Sequence, residues 1–287
     1  MANVRDIRRR IRSARSIQQI TRAMKFVSAA RLRKAQERVI AARPYARQML
    51  AVLNSLATRV PEQTHPLLAR RGEENIELLL ITADRGLCGA YNTNLIRHAV
   101  EFLAVHADRK IELNILGKRG RDFFRRRPFS VRHEAINVLQ KPSFADAAAI
   151  AKDLIEEFER GEKDQILLLY NEFKSVIQQR VVVEPLLPIQ RLEHPDEGSR
   201  LEYLYDEPPT KIFSNLLPRH VEAQVYRALV EAAAAEHGAR MTAMEAATNN
   251  ASEMIENLTL YANKVRQAGI TKELIEVVSG AASTGQG

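Results

Sequence analysis

The sequence predicts an α/β domain inserted between two long terminal helices that pair as an antiparallel coiled coil. Three observations carry this expectation. The first and last stretches of the chain are almost free of proline, both place small or apolar residues at steps of three and four, and the middle alternates short β-rich runs with helical segments. The expected boundaries are 1–58 for the first helix, 75–205 for a Rossmann-like domain and 211–287 for the last helix.

From Asn3 to about Thr58 there is no glycine and one proline, Pro44. Val4, Ile7, Ile11 and Ala14 follow the spacing of a coiled-coil seam, and Ile17, Ile20, Met24 and Val27 continue it after a shift of three, a small stammer. Residues 1–60 hold fifteen Arg or Lys against two acids, Asp6 and Glu37, a net +13, whereas the other 227 residues sum to −5. The whole-chain charge of +8 is therefore the property of one element.

In the middle, Glu77 to Ala83, Lys110 to Leu116 and Gln165 to Tyr170 read as strands. Helical stretches are expected near Asn94 to Val105, Gly117 to Arg127 and Ser143 to Arg160, with Ser143 as N-cap. That alternation predicts a mostly parallel sheet. Ile177 to Val183 follows the third strand too closely for a crossover and reads as its hairpin partner. Pro185 to Pro209, rich in proline and acid, reads as loop with one strand at Leu201 to Tyr205.

From Arg219 to about Ser279 no proline intervenes, and Val221, Val225, Ala228, Ala232, Ala235, Ala239, Thr242 and Ala246 form a seam of small residues. Alanine lets two backbones approach closely. About sixty helical residues would extend roughly 90 Å, more than a compact domain requires.

No window approaches the ~18 apolar residues of a membrane span. The N-terminus, MANVRDIRRRIRSA, carries Asp6 and lacks an apolar core, so neither a secretion signal nor a transit segment is expected. The single cysteine, Cys88, excludes an intrachain disulfide and a paired-thiolate zinc site.

ITADRGLCGAYNTN, residues 81 to 94, has the order strand, glycine turn, helix start, which suits a phosphate. A P-loop, however, needs a lysine and a hydroxyl after its second glycine, and Gly89 is followed by Ala90 and Tyr91. GxGxxG is absent as well, so the expectation is a tight turn whose glycines supply positive φ. HEAIN, from His133, lacks the second histidine of a zinc protease, Asn137 standing in its place. Cys88 is expected to pack as a small buried residue rather than act as a nucleophile. No catalytic residue, cofactor site or metal site is expected. The basic helix then suits a nucleic acid, an acidic protein partner, or solvent alone.

Three strings narrow the choice: ITRAMKFVSAARLRKAQ (20 to 36), ADRGLCGAYN (83 to 92) and EHGARMTAMEAATNNASEMIENLTLYANKVRQAGITKELIEVVSGA (236 to 281). They closely resemble the gamma subunit of bacterial F-type ATP synthases, at both ends and in the middle. The resemblance implies a non-catalytic central-stalk rotor subunit, one copy per complex, with no bound cofactor. Its partners would be the three alpha and three beta subunits of the catalytic head, the epsilon subunit and the membrane c-ring, with no nucleic acid. It implies head contacts at Met24, Lys25, Arg266, Gln267 and Thr271, and ring contacts at Tyr203, Tyr205 and Asp206. The plastid form's inserted cysteine pair is missing, and the expected place is the cytoplasmic face of a bacterial inner membrane.

Overall fold

The computed structural model describes residues 4–57, 65–175, 178–190 and 208–284. The chain forms two compact units, one of Ser28–Arg240 and one of Met1–Val27 with Met241–Gly287. Helices α1 (Val4–Ala57) and α5 (Pro209–Thr284) each contribute residues to both units. Both continue through an internal proline, Pro44 and Pro218. Pro209 occupies the first helical position, where a missing N–H costs nothing, so α5 begins earlier than residue 211.

The 28–240 unit is built on five strands: β1 (Asn75–Ile81), β2 (Lys110–Leu116), β3 (Val131–Ala135), β4 (Gln165–Phe173) and β5 (Gln179–Leu187). Their spatial order is β3-β2-β1-β4-β5, with β5 antiparallel to β4 and the rest parallel. The α/β sheet and the hairpin at its end are as expected. β1 starts two residues before the expected Glu77, because the Asp164 carboxylate accepts from both the backbone N–H and the side-chain amide of Asn75. β5 extends past Val183 through Pro185, which an edge strand tolerates. β3 has no counterpart in the sequence reading, since its exposed edge position leaves no apolar run. The expected strand at 201–205 lies outside the described residues.

Alternate residues of the parallel strands enter two apolar layers. Leu79, Ile81, Leu168 and Tyr170 meet Ala151, Leu154 and Phe158 of α4 (Phe144–Glu159), together with Val221, Val225 and Ala228 of α5. Leu78, Leu80, Ile115 and Leu169 meet Tyr91, Leu95 and Ala99 of α2 (Tyr91–Val105) and Phe124 of α3 (Lys118–Phe124). The Ser143 hydroxyl accepts from the Asp146 N–H, the N-cap expected for α4. Gly117 at the end of β2 has φ +102°, and a Cβ there would lie 1.9 Å from the Thr82 carbonyl oxygen. Only glycine lets α3 turn back so close to β1.

The seam of α5 holds through this unit and then changes register. Val221, Val225, Ala228, Ala232 and Ala235 are fully buried, yet what they meet includes the sheet layers as well as another helix. Beyond Arg240 the expected Thr242 and Ala246 are exposed, and Met244 and Ala251 are buried instead.

The unit of 1–27 with 241–287 corrects the seam of α1 as well. Ile7, Ile11 and Ala14 are buried as expected, but Ile17, Ile20 and Val27 are 54%, 56% and 53% exposed. The inner positions are Gln18, Thr21 and Lys25, so the steps of four and three run on without a stammer. Gln18 Nε2 donates to Ser252 Oγ at 2.7 Å, the hydroxyls of Thr21 and Thr248 share a hydrogen bond of 2.8 Å, and Lys25 Nζ donates to Glu245 Oε1 at 2.5 Å. Ascending α1 matches descending α5. A reading that follows hydrophobicity fails here because the inward residues are polar.

Candidate functional site

Outside that polar seam both helices expose apolar side chains. On α1, Phe26 is 61% exposed beside the outward Ile17, Ile20 and Val27. On α5, Met254, Leu260, Tyr261, Ile270, Leu274, Ile275, Val277 and Val278 are between 48% and 69% exposed. At 100° per residue these eight positions spread over roughly 220° of the helix circumference. Large exposed apolar surface beside a seam that is polar from Gln18 to Lys25 is unlike a self-sufficient helix pair and marks a surface that another protein covers.

The head-contact residues expected from the sequence lie on this unit. Met24 and Lys25 are half-buried on α1, Lys25 being held by Glu245. Arg266, Gln267 and Thr271 are exposed along α5, where Thr271 Oγ1 donates back to the Gln267 carbonyl at 3.0 Å. Arg266 and Gln267 are thus exposed within about one and a half turns of Thr271. Tyr203, Tyr205 and Asp206, the expected ring contacts, lie outside the described residues.

The loop 82–90 follows β1 at the point where strand order reverses, the usual ligand crevice of an open α/β sheet. Here several of its polar groups are already engaged. Asn92 Oδ1 accepts from the Ala83 N–H, and Asp84 Oδ1 accepts from the N–H groups of Lys118 and Asn137. The Arg240 guanidinium of α5 donates to the carbonyls of Arg85 and Gly86 at 3.3–3.5 Å and to Glu236 Oε1 at 2.6 Å. The loop therefore presents carbonyls to a cation rather than N–H groups to an anion. Gly89 has the expected positive φ of 56°, but the other left-handed residue is Leu87 at 63°, not Gly86. At Gly86 a Cβ would meet Arg119 Nη2 at 2.8 Å, so the guanidinium end of that side chain would have to shift.

Cys88 is 1% exposed and receives the Asn92 side-chain amide at 3.2 Å, while burial pushes its thiol pKa up. That is a packing cysteine. His133 and Glu134 stand exposed on the edge strand β3, not on a helix.

Sequence reading missed the buried charges. Glu236 and Arg240 are 6% and 7% exposed, and burial holds the Glu236 carboxyl above the ordinary carboxylate range against the pull of Arg240. Arg132 gathers Glu77, Asp153 and Glu157, and Arg227 bridges to Glu184, which also accepts from the Tyr170 hydroxyl. The i,i+4 spacing of Glu236 and Arg240 was the available signal, but it is equally the signature of a solvated helix face.

The ATP synthase family model matches residues 3–284. The ATP synthase gamma chain of Solibacter usitatus is 51% identical over 287 residues, covering 99% of both chains. The chain belongs to the ATP synthase gamma chain family. The gamma chain of Desulfitobacterium hafniense is 50% identical over 283 residues, again with 99% of each chain covered. Among solved structures, a chain of the Tetrahymena thermophila mitochondrial ATP synthase central stalk and c-ring aligns with a TM-score of 0.61 at 27% identity, covering 79% of this chain and 99% of that one. A chain of the Euglena gracilis mitochondrial ATP synthase shares the fold, with a TM-score of 0.67 at 20% identity over 98% of this chain and 94% of that one. Gamma-chain membership sets aside the nucleic-acid reading of the basic helix.

Proposed function

We propose that this gamma chain is the non-catalytic central-stalk rotor of an F-type ATP synthase, coupling ion flow through a membrane c-ring to ATP synthesis or hydrolysis in the catalytic head. The inside-out segment is the observation that carries the reading. Hydrogen bonds between α1 and α5 hold the two helices together, so their apolar surface is left for a surrounding partner. An alpha and beta sleeve supplies that cover, and enclosing one exposed Phe or Leu contributes about 1.5–3 kcal/mol. The antiparallel order of the three cross-helix bonds supports a coiled coil formed by the two chain ends. In this reading 1–58 and 211–287 make the shaft and 75–205 the foot that binds epsilon and the c-ring.

Met24, Lys25, Arg266, Gln267 and Thr271 are assigned to the head, and Tyr203, Tyr205 and Asp206 to the ring. The exposed cations of α1 steer acidic groups of the beta subunits. Nucleotide chemistry belongs to those subunits, in keeping with a loop 82–90 whose groups are engaged by Arg240 and Asn92. No helix among the described residues is long and apolar enough to cross a membrane, and a peripheral place on the cytoplasmic face of a bacterial inner membrane fits the bacterial relatives.

Cysteine cross-linking in the assembled complex tests the reading. In a Cys88→Ala background, Tyr205→Cys is expected to bond to the ring and leave ATP-driven pumping largely intact, since both parts turn together. Lys25→Cys is expected to bond to a beta subunit and stop ATP turnover until a reductant is added. Equal turnover with both bonds formed in high yield contradicts a rotor.

A further inference from the structure

Within the 28–240 unit, a cavity of about 170 Å³ opens between α1, the turn around Leu139 to Pro142, and α5. Three cations line it from one helix, Arg31, Lys34 and Arg38, at steps of three and four that place them on one face. No carboxylate lines it, and among the described residues none pairs with these three side chains by hydrogen bond or ion pair. Three like charges around one concavity repel one another and focus a positive potential, which the Glu236 carboxylate, attracted to Arg31 and bonded to Arg240, offsets only in part.

The floor adds a directed donor. His237, 7% exposed, reaches the cavity from α5. Its Nδ1 lies 3.5 Å from Arg240 Nη1. A guanidinium only donates, so Nδ1 accepts and the neutral ring carries its proton on Nε2. Among the described residues none accepts that N–H. Burial, then the charges of Arg240 and Arg31, lower the His237 pKa to about 4, so the ring is a neutral donor at neutral pH and the site's charge is that of its Arg and Lys groups. Gln140 adds an amide at the rim, and Leu139 an apolar wall.

We propose that this cavity is an oxyanion site that takes free inorganic phosphate or an ion of the same tetrahedral shape and charge. Its size decides the class of ligand. Sites for drug-sized molecules, nucleotides included, occupy roughly 300–1,000 Å³. A tetrahedral dianion fits the smaller space and turns acceptor oxygens in several directions, towards donors on α1, α5 and the turn between them in space. Arginine matches it with paired N–H groups, and lysine as a point charge. A bound ion ties together α1, the 139–142 turn and α5, three segments that are remote in sequence. This site lies wholly within the 28–240 unit and uses none of the residues named as head or ring contacts, although Arg31 and Lys34 are among the exposed cations of α1, so its test is binding to the isolated chain, which does not depend on the rotor assignment.

The test is phosphorus NMR and titration calorimetry on the purified full chain, with sodium phosphate against sodium chloride at matched ionic strength. The expected result is saturable binding of one phosphate per chain, displaced by sulfate and not by chloride. Arg31→Gln and Arg38→Gln each weaken it by roughly tenfold or more, the loss expected for a charge-assisted hydrogen bond. Arg126→Gln, an exposed cation elsewhere on the same unit, leaves it unchanged. Melting each variant in chloride identifies any that misfolds, and sulfate displacement on the unmodified chain reads the site without a substitution. Phosphate and chloride acting alike at equal ionic strength, or Arg126→Gln costing as much as the pocket variants, overturns the proposal.

Discussion

The two units solve opposite problems with the same two helices. In the 28–240 unit α5 turns fully buried Val221, Val225, Ala228 and Ala232 inward, and the charges it buries are paired within the chain. In the other unit Ile7, Ile11 and Met244 are buried, but from Gln18 to Lys25 the side chains joining α1 and α5 are Gln, Thr, Ser, Lys and Glu, and many large apolar ones are exposed. Substitutions should therefore cost stability in the first and change binding in the second. The difference separates a self-sufficient domain from a segment completed by its neighbours.

The largest effect is expected at the clamp between α5 and the loop after β1. Arg240→Ala leaves the buried Glu236 carboxylate and the carbonyls of Arg85 and Gly86 without their cation. Breaking a buried pair from one side costs about 3–5 kcal/mol, while replacing both partners with apolar residues is often close to neutral. Denaturant unfolding of Arg240→Ala should show that loss, and Glu236→Leu with Arg240→Met should recover most of it. A change below about 1 kcal/mol for Arg240→Ala, the scale of an exposed pair, would show that the clamp is not structural.

How much of this contrast was legible in the sequence follows from where hydrophobicity and burial agree. They agree in the sheet: KIELNIL, QILLLY and the first five residues of ELLLITA fell on real strands, the last two lying past the end of β1 at Ile81, and Ser143 fell on a real cap. They disagree on the shaft, where Ile17, Ile20 and Val27 took the seam that Gln18, Thr21 and Lys25 occupy. Periodicity reports which face is apolar, not which face is inside, and the two differ wherever a partner supplies the cover. Motif likeness located Arg266, Gln267 and Thr271 on the outward helix without needing the seam. Arg240 escaped notice because nothing local distinguishes an arginine that reaches a loop more than 150 positions away.

A smaller loss is expected in acid, again in the 28–240 unit. Burial, then the charge of Arg227, lowers the His220 pKa to about 4 from 6.5. A depressed histidine pKa means the unfolded chain takes up the proton first, so this contribution is complete above pH 6.5 and is lost as pH falls towards 4. At 1.36 kcal/mol per unit the full effect is at most about 3 kcal/mol. His237 adds a loss of the same sign, and the raised Glu236 opposes it. Chemical unfolding across that range should give a shallower acid limb for His220→Gln than for the unmodified chain, and equal slopes would remove His220 from the account.

Across the polar seam the expected effect is about 1 kcal/mol. Thr21 and Thr248 stand 2.8 Å apart, so one hydroxyl donates to the other, and the accepting hydroxyl gives its own proton to a carbonyl of its helix, that of Gln18 or of Met244. Thr21→Val and Thr248→Val should each be mildly destabilising, with the double variant costing less than the sum, because the second change removes a group that the first has already left unpaired. A strictly additive pair would mean that the hydroxyls do not interact, and that the seam is held at Gln18 and Lys25 alone.

The smallest effect on folding is expected where apolar exposure is greatest. Phe26 and Leu274 are each 61% exposed, so Phe26→Ser and Leu274→Ser forfeit little that the isolated chain has buried, and surface changes of this kind stay within about 0.5 kcal/mol. On the rotor reading proposed above, the head encloses the same side chains, so truncating each should remove much of the ~1.5–3 kcal/mol that burying a Phe or Leu contributes, about tenfold or more in the association constant. Unfolding curves of the isolated variants should therefore overlay that of the parent, while titration into the alpha and beta head shows weaker assembly. A variant that unfolds early would place its side chain in this chain's own core, and one that assembles as tightly as the parent would leave its apolar surface without a partner. Because the two measurements move independently, they separate a surface kept for docking from one kept for folding, which is the distinction between the two units.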